Sequence, residues 1–139
     1  MQQHFDHDTH GGGKVKDLEK LSEAQFDAAT KAGAAGDFVT VGLIFEKYRD
    51  NVRSAFELLR TQEPDAERHP GGYRHLELQV RRGIREVEET LIIVPDEVRP
   101  PFRIVRQDLI TMDDDMIQLL FPRHMKGPDK PSAPAGVKP

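Results

Sequence analysis

The chain has 139 residues, the length of one ordinary domain, and its content of leucine, isoleucine, valine and phenylalanine predicts a folded core. Because it contains no cysteine, disulfide frameworks, thiolate nucleophiles and Cys-ligated zinc or iron–sulfur sites are excluded. Its net charge of −4 argues against a protein that coats nucleic acid, and no apolar run is long enough to predict membrane insertion.

Both ends of the chain have the composition of polar tails. Residues 1–14 hold three of the six histidines and a triple glycine but almost nothing apolar, so we expect a flexible His-rich tail there. Residues 122–139 hold five prolines and carry a net charge of +3, which predicts a disordered, basic, Pro-rich tail. The folded domain is then predicted to span residues 15–121.

The first predicted helix is short. Leu21 and Ser22 precede an alanine-rich segment, with Gln25 three residues after the serine, and this is the pattern of a helix N-cap. Gly33 or Gly36 would end the helix, because glycine accepts the left-handed conformation that often follows a helix.

Asp37 is predicted to cap the second helix, which we place at about residues 38–61. Its apolar side chains recur every three or four residues and therefore share one face. They are Phe38, Val41, Phe45, Tyr48, Val52, Ala55, Phe56 and Leu59.

Residues 62–72 contain two prolines and two glycines, which predicts a loop before a third helix. The apolar stripe of the third helix runs from Tyr73 to Leu91. A β-hairpin is the alternative, but its alternation of apolar and polar residues fails after Ile84, whereas the helical spacing continues. Gly83 lies within the stripe, which indicates a close approach between two helices.

The fourth predicted helix starts at the Pro100 and Pro101 pair, which suits a first helical turn, and its apolar stripe ends at Phe121. Asp113 falls inside that stripe, so we expect a break near residues 112–114 and a short final helix. The predicted fold is all-α: a small antiparallel bundle of three long helices plus one short N-terminal helix, flanked by the two polar tails.

Histidines in the N-terminal tail form a candidate metal site. Imidazoles accompanied by the carboxylates of Asp6 and Asp8 are a ligand set that zinc, nickel or copper accepts. The candidate ligands are His4, His7 and His10. The alternative is a solvated tail, because a glycine-rich segment has to be ordered before it can chelate.

Motifs that would indicate an enzyme are missing from the sequence. No serine suits a hydrolase triad, the Glu-x-x-His pairs of a di-iron bundle do not occur, and neither of the glycine-rich phosphate-binding motifs is present. We therefore predict a protein without catalytic residues and without a cofactor.

The predicted last helix carries its charges in the reverse of the order that the helix dipole favours. Arg99, Arg103 and Arg106 lie near its N-terminus, whereas the run from Asp113 to Asp115 lies in its C-terminal half. Either these arginines pair with carboxylates of another helix, or they meet an anionic partner. That partner would be an acidic protein surface or a phosphate backbone.

Several apolar residues lie off the helical stripes and predict a second apolar surface. A small monomer does not normally expose such a surface, so we expect contact with a protein partner or with a second copy of the chain. Methionine and leucine beside acidic residues also suit a helix that binds in a partner's groove. The predicted contact residues are Leu43 and Leu58, which lie off the stripes, the segment beside the aspartates with Met116, Ile117, Leu119, Leu120 and Phe121, and the three arginines. Val39, Leu78, Ile92 and Ile93 lie off the stripes as well.

These features predict a non-enzymatic helical adaptor or small structural subunit that acts through protein–protein contacts in a larger assembly. The second hypothesis is a nucleic-acid-associated protein that uses the arginines of the last helix and the basic tail. The third is metal handling through the N-terminal histidines. Because the sequence lacks the pattern of a signal peptide, we expect a location in the cytoplasm or within a viral or macromolecular assembly.

Overall fold

The computed structural model describes residues 1–122, and within them the chain is all-α, as the apolar spacing predicts. It has four long helices rather than three, and the described part contains no strand. The helices are α1 (Gln2–His7), α2 (Gly11–Ala34), α3 (Phe38–Gln62), α4 (Gly71–Leu91) and α5 (Arg99–Leu120), with a 3₁₀ turn at Asp96–Val98.

Helices α2 to α5 form an antiparallel bundle. Helix α2 packs against α3 and α4, α5 also packs against α3 and α4, and α3 meets α4 across the centre. One end of the bundle, which we call the apical end, carries the α2–α3 turn and the α4–α5 connection. The opposite, basal end carries the start of α2 and the α3–α4 loop. Every long helix therefore contributes its apolar face to one shared core.

Helix α3 agrees with its predicted boundaries and caps. The Asp37 carboxylate accepts a hydrogen bond from the backbone N–H of Thr40 at 3.2 Å, as an N-cap does. Gly36, in the turn after α2, has a φ of +77°, a conformation that glycine adopts without strain. The predicted cap at Asp37 and the predicted glycine at the end of α2, Gly36, are thus both confirmed.

Helix α4 confirms the helical interpretation of its segment over the hairpin alternative. Gly83 lies against Tyr48 of α3, and a Cβ atom at position 83 would collide with the tyrosine ring. The Tyr48 hydroxyl donates a hydrogen bond to the backbone carbonyl of Gln79 at 3.2 Å. The predicted close approach of two helices at Gly83 is therefore present between α3 and α4.

Helix α2 begins at Gly11, well before the predicted start at Ser22. Ser22 lies inside the helix, where its hydroxyl donates to the carbonyl of Leu18 at 2.6 Å instead of capping a terminus. Val15 and Leu18 are fully buried and continue the apolar stripe upstream at helical spacing. The prediction of a short first helix was wrong because the capping pattern at Ser22 lies inside a helix whose apolar stripe begins upstream at Val15.

The structure also differs from the prediction at the N-terminus, where residues 1–14 are not a free tail. Phe5 of α1 is 1% exposed and belongs to the core. The Lys14 ammonium lies 4.4 Å from the centre of the Phe5 ring and donates to the Phe5 carbonyl at 2.9 Å. The tail prediction was wrong because one buried aromatic ring offsets much of the ordering entropy of a polar segment.

Side-chain amides fasten this N-terminal segment to α3. Gln2 and Asn51 exchange two hydrogen bonds, at 3.0 and 3.2 Å. Farther along α3, the Gln62 side chain accepts the backbone N–H of Gly11 at 2.6 Å and donates to the carbonyl of Thr9. The N-terminal segment is thus held at two points on a helix that lies about 50 residues away in sequence.

Helix α5 is continuous, so the predicted break near residues 112–114 is wrong. Asp113 is half-buried against α4, where it faces Glu77. Burial, and then the contact with Glu77, raises the pKa of Asp113 to about 7. The Oδ1 atom of Asp113 is buried and has no hydrogen-bond partner in the described chain, so this site suits the protonated acid.

Glu77 is the ionised member of this carboxyl pair. Its side chain is buried, and Arg81 donates two hydrogen bonds to it at 2.7 and 2.5 Å. Burial raises the pKa of Glu77, but the hydrogen bonds from Arg81 and Asp113 outweigh this, and the net pKa lies below its ordinary value. The raised pKa of Asp113 thus lets an aspartate occupy the apolar stripe of α5 as the neutral acid.

The described part of the chain ends just after α5. Phe121 is the C-cap of this helix, and Pro122 is the last described residue. The predicted Pro-rich tail, residues 122–139, therefore lies outside the described residues except for Pro122. No helix within residues 1–122 is long and apolar enough to cross a membrane.

Candidate functional site

The predicted contact segment at the end of α5 belongs mostly to the core. Met116 is fully buried and Leu120 is largely buried, because the continuous helix turns both residues onto the bundle. Ile117 and Leu119 are half-buried, and Phe121 is the one exposed member of the segment. These residues therefore do not form a freely exposed segment, and their role in binding a partner stays a prediction.

Leu43 and Leu58, the two predicted contact residues of α3, have different surroundings. Leu58 is half-buried, whereas Leu43 is 61% exposed. Leu43 belongs to a group at the apical end that contains five of the eight exposed large apolar side chains in the described chain. These five are Val39, Leu43, Ile92, Ile93 and Ile104.

Three adjoining depressions connect apolar side chains at this end. The first, of about 280 Å³, lies between α2 and α4 and is lined by Phe38 and Ile93. The second, of about 190 Å³, shares Phe38 with the first and adds Val39 and Leu43. The third, of about 340 Å³, lies between α2 and α3 and joins Leu43 to Ile44. Of the five exposed residues, Val39, Leu43 and Ile93 line these depressions, and we call the surface that they form with the depressions the apical apolar surface.

Carboxylates border the apical apolar surface. Glu86 and Glu89 line the first depression, and Glu46 and Glu97 line the second. None of these four side chains makes an ion pair within residues 1–122. Lys47, beside the third depression, is the single cation among the residues that line the three depressions. The surface is therefore apolar in its centre and negative at most of its border.

The three arginines of α5 do not form one site. Arg99 pairs with Asp96 at 3.0 Å, and Arg106 pairs with Glu88 of α4 at 2.8 Å. Arg103 is exposed and makes no ion pair within the described residues. Two of the three guanidinium groups are thus paired inside the chain, but only the Arg106–Glu88 pair joins two helices as the ion-pair interpretation expects.

One of the three predicted metal-binding histidines lies in a cluster with two aspartates. The candidate ligand atoms of His4, Asp8 and Asp17 all lie within 4.8 Å of one another. His7 and His10 are exposed and lie outside this cluster, so the predicted set of three histidines is not brought together. The i and i+4 spacing of His4 and Asp8 was a usable signal, but it required a helix where a tail was predicted.

The cluster holds two carboxyl groups close together. The backbone N–H of His10 donates to Asp8 at 3.0 Å and lowers the pKa of Asp8. Burial, and then the contact with Asp8, raises the pKa of Asp17. The Oδ2 atom of Asp17 is buried without a hydrogen-bond partner in the described chain, and His4 lies 3.3 Å from the other oxygen. A divalent cation would satisfy both carboxylates, with His4 as a nitrogen ligand.

The helical spacing of the apolar residues predicts part of the apical apolar surface, because Val39, Leu43 and Ile93 all lie off the apolar stripes of their helices. Ile104 lies off the stripe of α5 and was missed, although the same count finds it. The border of carboxylates was missed because it combines residues of α3, α4 and the α4–α5 connection. Comparison with known protein families, with curated proteins and with solved structures found no match to this chain.

Proposed function

We propose that the protein is a non-enzymatic helical adaptor or small subunit that binds another protein through the apical apolar surface. The observation that supports this function is the gathering of exposed Val39, Leu43 and Ile93 around three adjoining depressions. Single exposed apolar residues are common, but a contiguous apolar area with a polar border is typical of a protein–protein contact.

The charges favour a protein partner over a nucleic acid. Four carboxylates border the apical apolar surface, and they would repel a phosphate backbone. Arg99 and Arg106 already have carboxylate partners inside the chain, which leaves Arg103 as the one unpaired member of the predicted arginine set in the described residues. The net charge of −4 acts in the same direction.

We expect Leu43→Glu to weaken association on the order of a hundredfold, because it places a charge without a partner in an apolar contact. The measurement starts with light scattering of the isolated chain, which reports self-association. If the chain is monomeric, the same variant is compared with the native chain in quantitative capture of its cellular partner.

Leu78→Glu is the matched control for this prediction. Leu78 is 58% exposed on α4, so the same chemical change is made at an equally exposed position outside the apical apolar surface. Both variants should keep the helical circular dichroism spectrum and the melting temperature of the native chain. Equal association of Leu43→Glu and Leu78→Glu would contradict the proposed function.

We propose divalent metal binding at the cluster of His4, Asp8 and Asp17 as a second candidate function. It is favoured by the proximity of three ligand atoms and by the unpartnered oxygen of Asp17. One imidazole and two carboxylates match the ligand preferences of zinc, and the exposure of His4 leaves room for a water ligand.

Titration of the chain with Zn²⁺ in a calorimeter should give one site, and Asp17→Asn should weaken it at least about tenfold, because ligand removal is costly. His7→Ala is the control, since His7 lies outside the cluster. The opposite pattern, a loss with His7→Ala but not with Asp17→Asn, would instead support chelation by the three histidines. The absence of any zinc binding would reject both sites.

A further inference from the structure

We propose that the segment bound by the apical apolar surface is a cationic amphipathic helix of a partner protein, an inference that rests on the proposed protein-binding function. Three properties of the surface support this occupant: its shape, its charge and the recognition modes that it does not offer.

The shape suits a helix. In the first depression α2 contributes the small residues Ala29, Gly33 and Ala34. The large apolar residues that line it are Phe38, Phe45 and Ile93. Small residues on one wall allow the backbone of an incoming helix to approach closely, and large ones opposite provide contacts for its apolar face. This arrangement resembles the helix-in-groove mode of recognition, in which anchors at i, i+3, i+4 and i+7 occupy adjoining depressions.

Other modes of peptide recognition lack their structural requirement. Addition of a strand needs a free sheet edge, and residues 1–122 contain no strand. Grooves for polyproline segments are lined by exposed aromatic side chains. This chain has no tryptophan, Tyr48 and Tyr73 are buried, and Phe38 is the one aromatic side chain lining the three depressions that is not buried. A helix is therefore the element that the surface can recognise.

The carboxylates that border the apical apolar surface indicate that the polar face of that helix should be positively charged. Glu86 and Glu89 border the first depression and Glu46 and Glu97 the second, all without an ion-pair partner in the described chain. Lysine and arginine on the flanks of an incoming helix would pair with them, whereas acidic flanks would be repelled.

The same charges disfavour a second copy of the chain as the occupant. A two-fold symmetric contact places the same patch on both sides, so it would set each border of carboxylates against its copy. Like-charge contacts of this kind oppose association. The partner helix is therefore expected to come from a different protein.

The inference can be tested with two designed helical peptides of about 18 residues, long enough to form a helix. Both carry leucine at i, i+3, i+4 and i+7, and they differ only in having lysine or glutamate on the polar face. Fluorescence anisotropy should show that the lysine peptide binds at least about tenfold more tightly than the glutamate peptide, with an advantage that shrinks as salt is added.

Matched variants separate this local effect from the overall negative charge. The double change Glu86→Gln and Glu89→Gln should weaken binding of the lysine peptide about fivefold, because two exposed ion pairs are lost. The control is Glu57→Gln with Glu67→Gln, which removes the same charge from exposed positions outside the apical apolar surface. Equal loss in the two double variants would overturn the inference.

Leu43→Glu distinguishes failure of this inference from failure of the proposed function. If both peptides bind equally and both are lost with Leu43→Glu, the surface binds apolar helices regardless of charge, so the cationic partner is wrong and the protein-binding function stands. If Leu43→Glu changes the binding of neither peptide, both the proposed function and this inference are wrong.

Discussion

Phe5→Ala should lower the free energy of unfolding by about 3–5 kcal/mol, the usual cost of removing a buried phenylalanine ring. Phe5 is 1% exposed, so its removal leaves a cavity against the core. The change also deprives the Lys14 ammonium of the ring face that it covers at 4.4 Å, although the Phe5 carbonyl remains as its acceptor. Urea unfolding followed by circular dichroism measures the difference.

His7→Ala provides the control within the same short helix. His7 is exposed, so its removal should change the stability by no more than about 0.5 kcal/mol. Deletion of residues 1–10 should be at least as damaging as Phe5→Ala, because it also removes the amide contacts of Gln2 and Thr9 with α3. If the deletion left the unfolding midpoint unchanged, the N-terminal segment would be a tail, as its composition suggests.

Asp113→Asn should gain stability relative to the native chain as the pH rises from about 4 to 7. The native Asp113 has its pKa raised from 3.8 to about 7. In this window the folded chain retains a proton that the unfolded chain releases, so the stability of the native chain falls with rising pH. An asparagine amide can donate to Glu77 without titrating, and the variant therefore escapes this loss.

The expected gain across this window is about 2 kcal/mol, less than the full pKa shift implies because solvent screens a half-buried group. Glu77, Arg81 and Asp114 are the charged groups that face Asp113. The lowered pKa of Glu77 affects stability only below its ordinary value of 4.5, mostly outside the window. Urea unfolding at a series of pH values gives the profile.

Asp115→Asn removes the same charge from an exposed position on the same helix. Its pH profile should follow that of the native chain, which separates the carboxyl pair from a general effect of net charge. Identical profiles for Asp113→Asn and the native chain would show that the folded chain does not retain a proton on Asp113 between about pH 4 and 7.

Local patterns in the sequence were sufficient to predict helices α3 and α4. Helix α3 has both a capping aspartate and an unbroken apolar stripe, and α4 has a stripe that outlasts the alternation of a hairpin. Helix α1 was not predicted because the stabilising contacts of Phe5 and Lys14 join separate elements. A single phenylalanine in a polar segment does not reveal that a docking site for it exists elsewhere in the chain.

The same limit applies to the candidate sites. The exposure of Leu43 was predicted correctly because the face that a residue occupies on a regular helix follows from its position relative to the apolar stripe. Met116 and Leu120 lie on the apolar stripe of α5, so their burial follows from the same helical spacing, whereas the acidic residues beside them favoured the prediction of a contact segment. The raised pKa of Asp113 beside Glu77 depends on the register between α4 and α5, and a single sequence does not specify that register.

The attachment of α1 to α3 sets an order of events during synthesis. Gln2 needs Asn51 and Thr9 needs Gln62, separations of 49 and 53 residues. A ribosome adds about 5–20 residues each second, so the first ten residues wait for some seconds before their docking site emerges. Contacts between distant segments also form later than the local hairpin of α2 and α3. We therefore expect α1 to dock last on the nascent α2–α3 hairpin, leaving Phe5 accessible to chaperones until then.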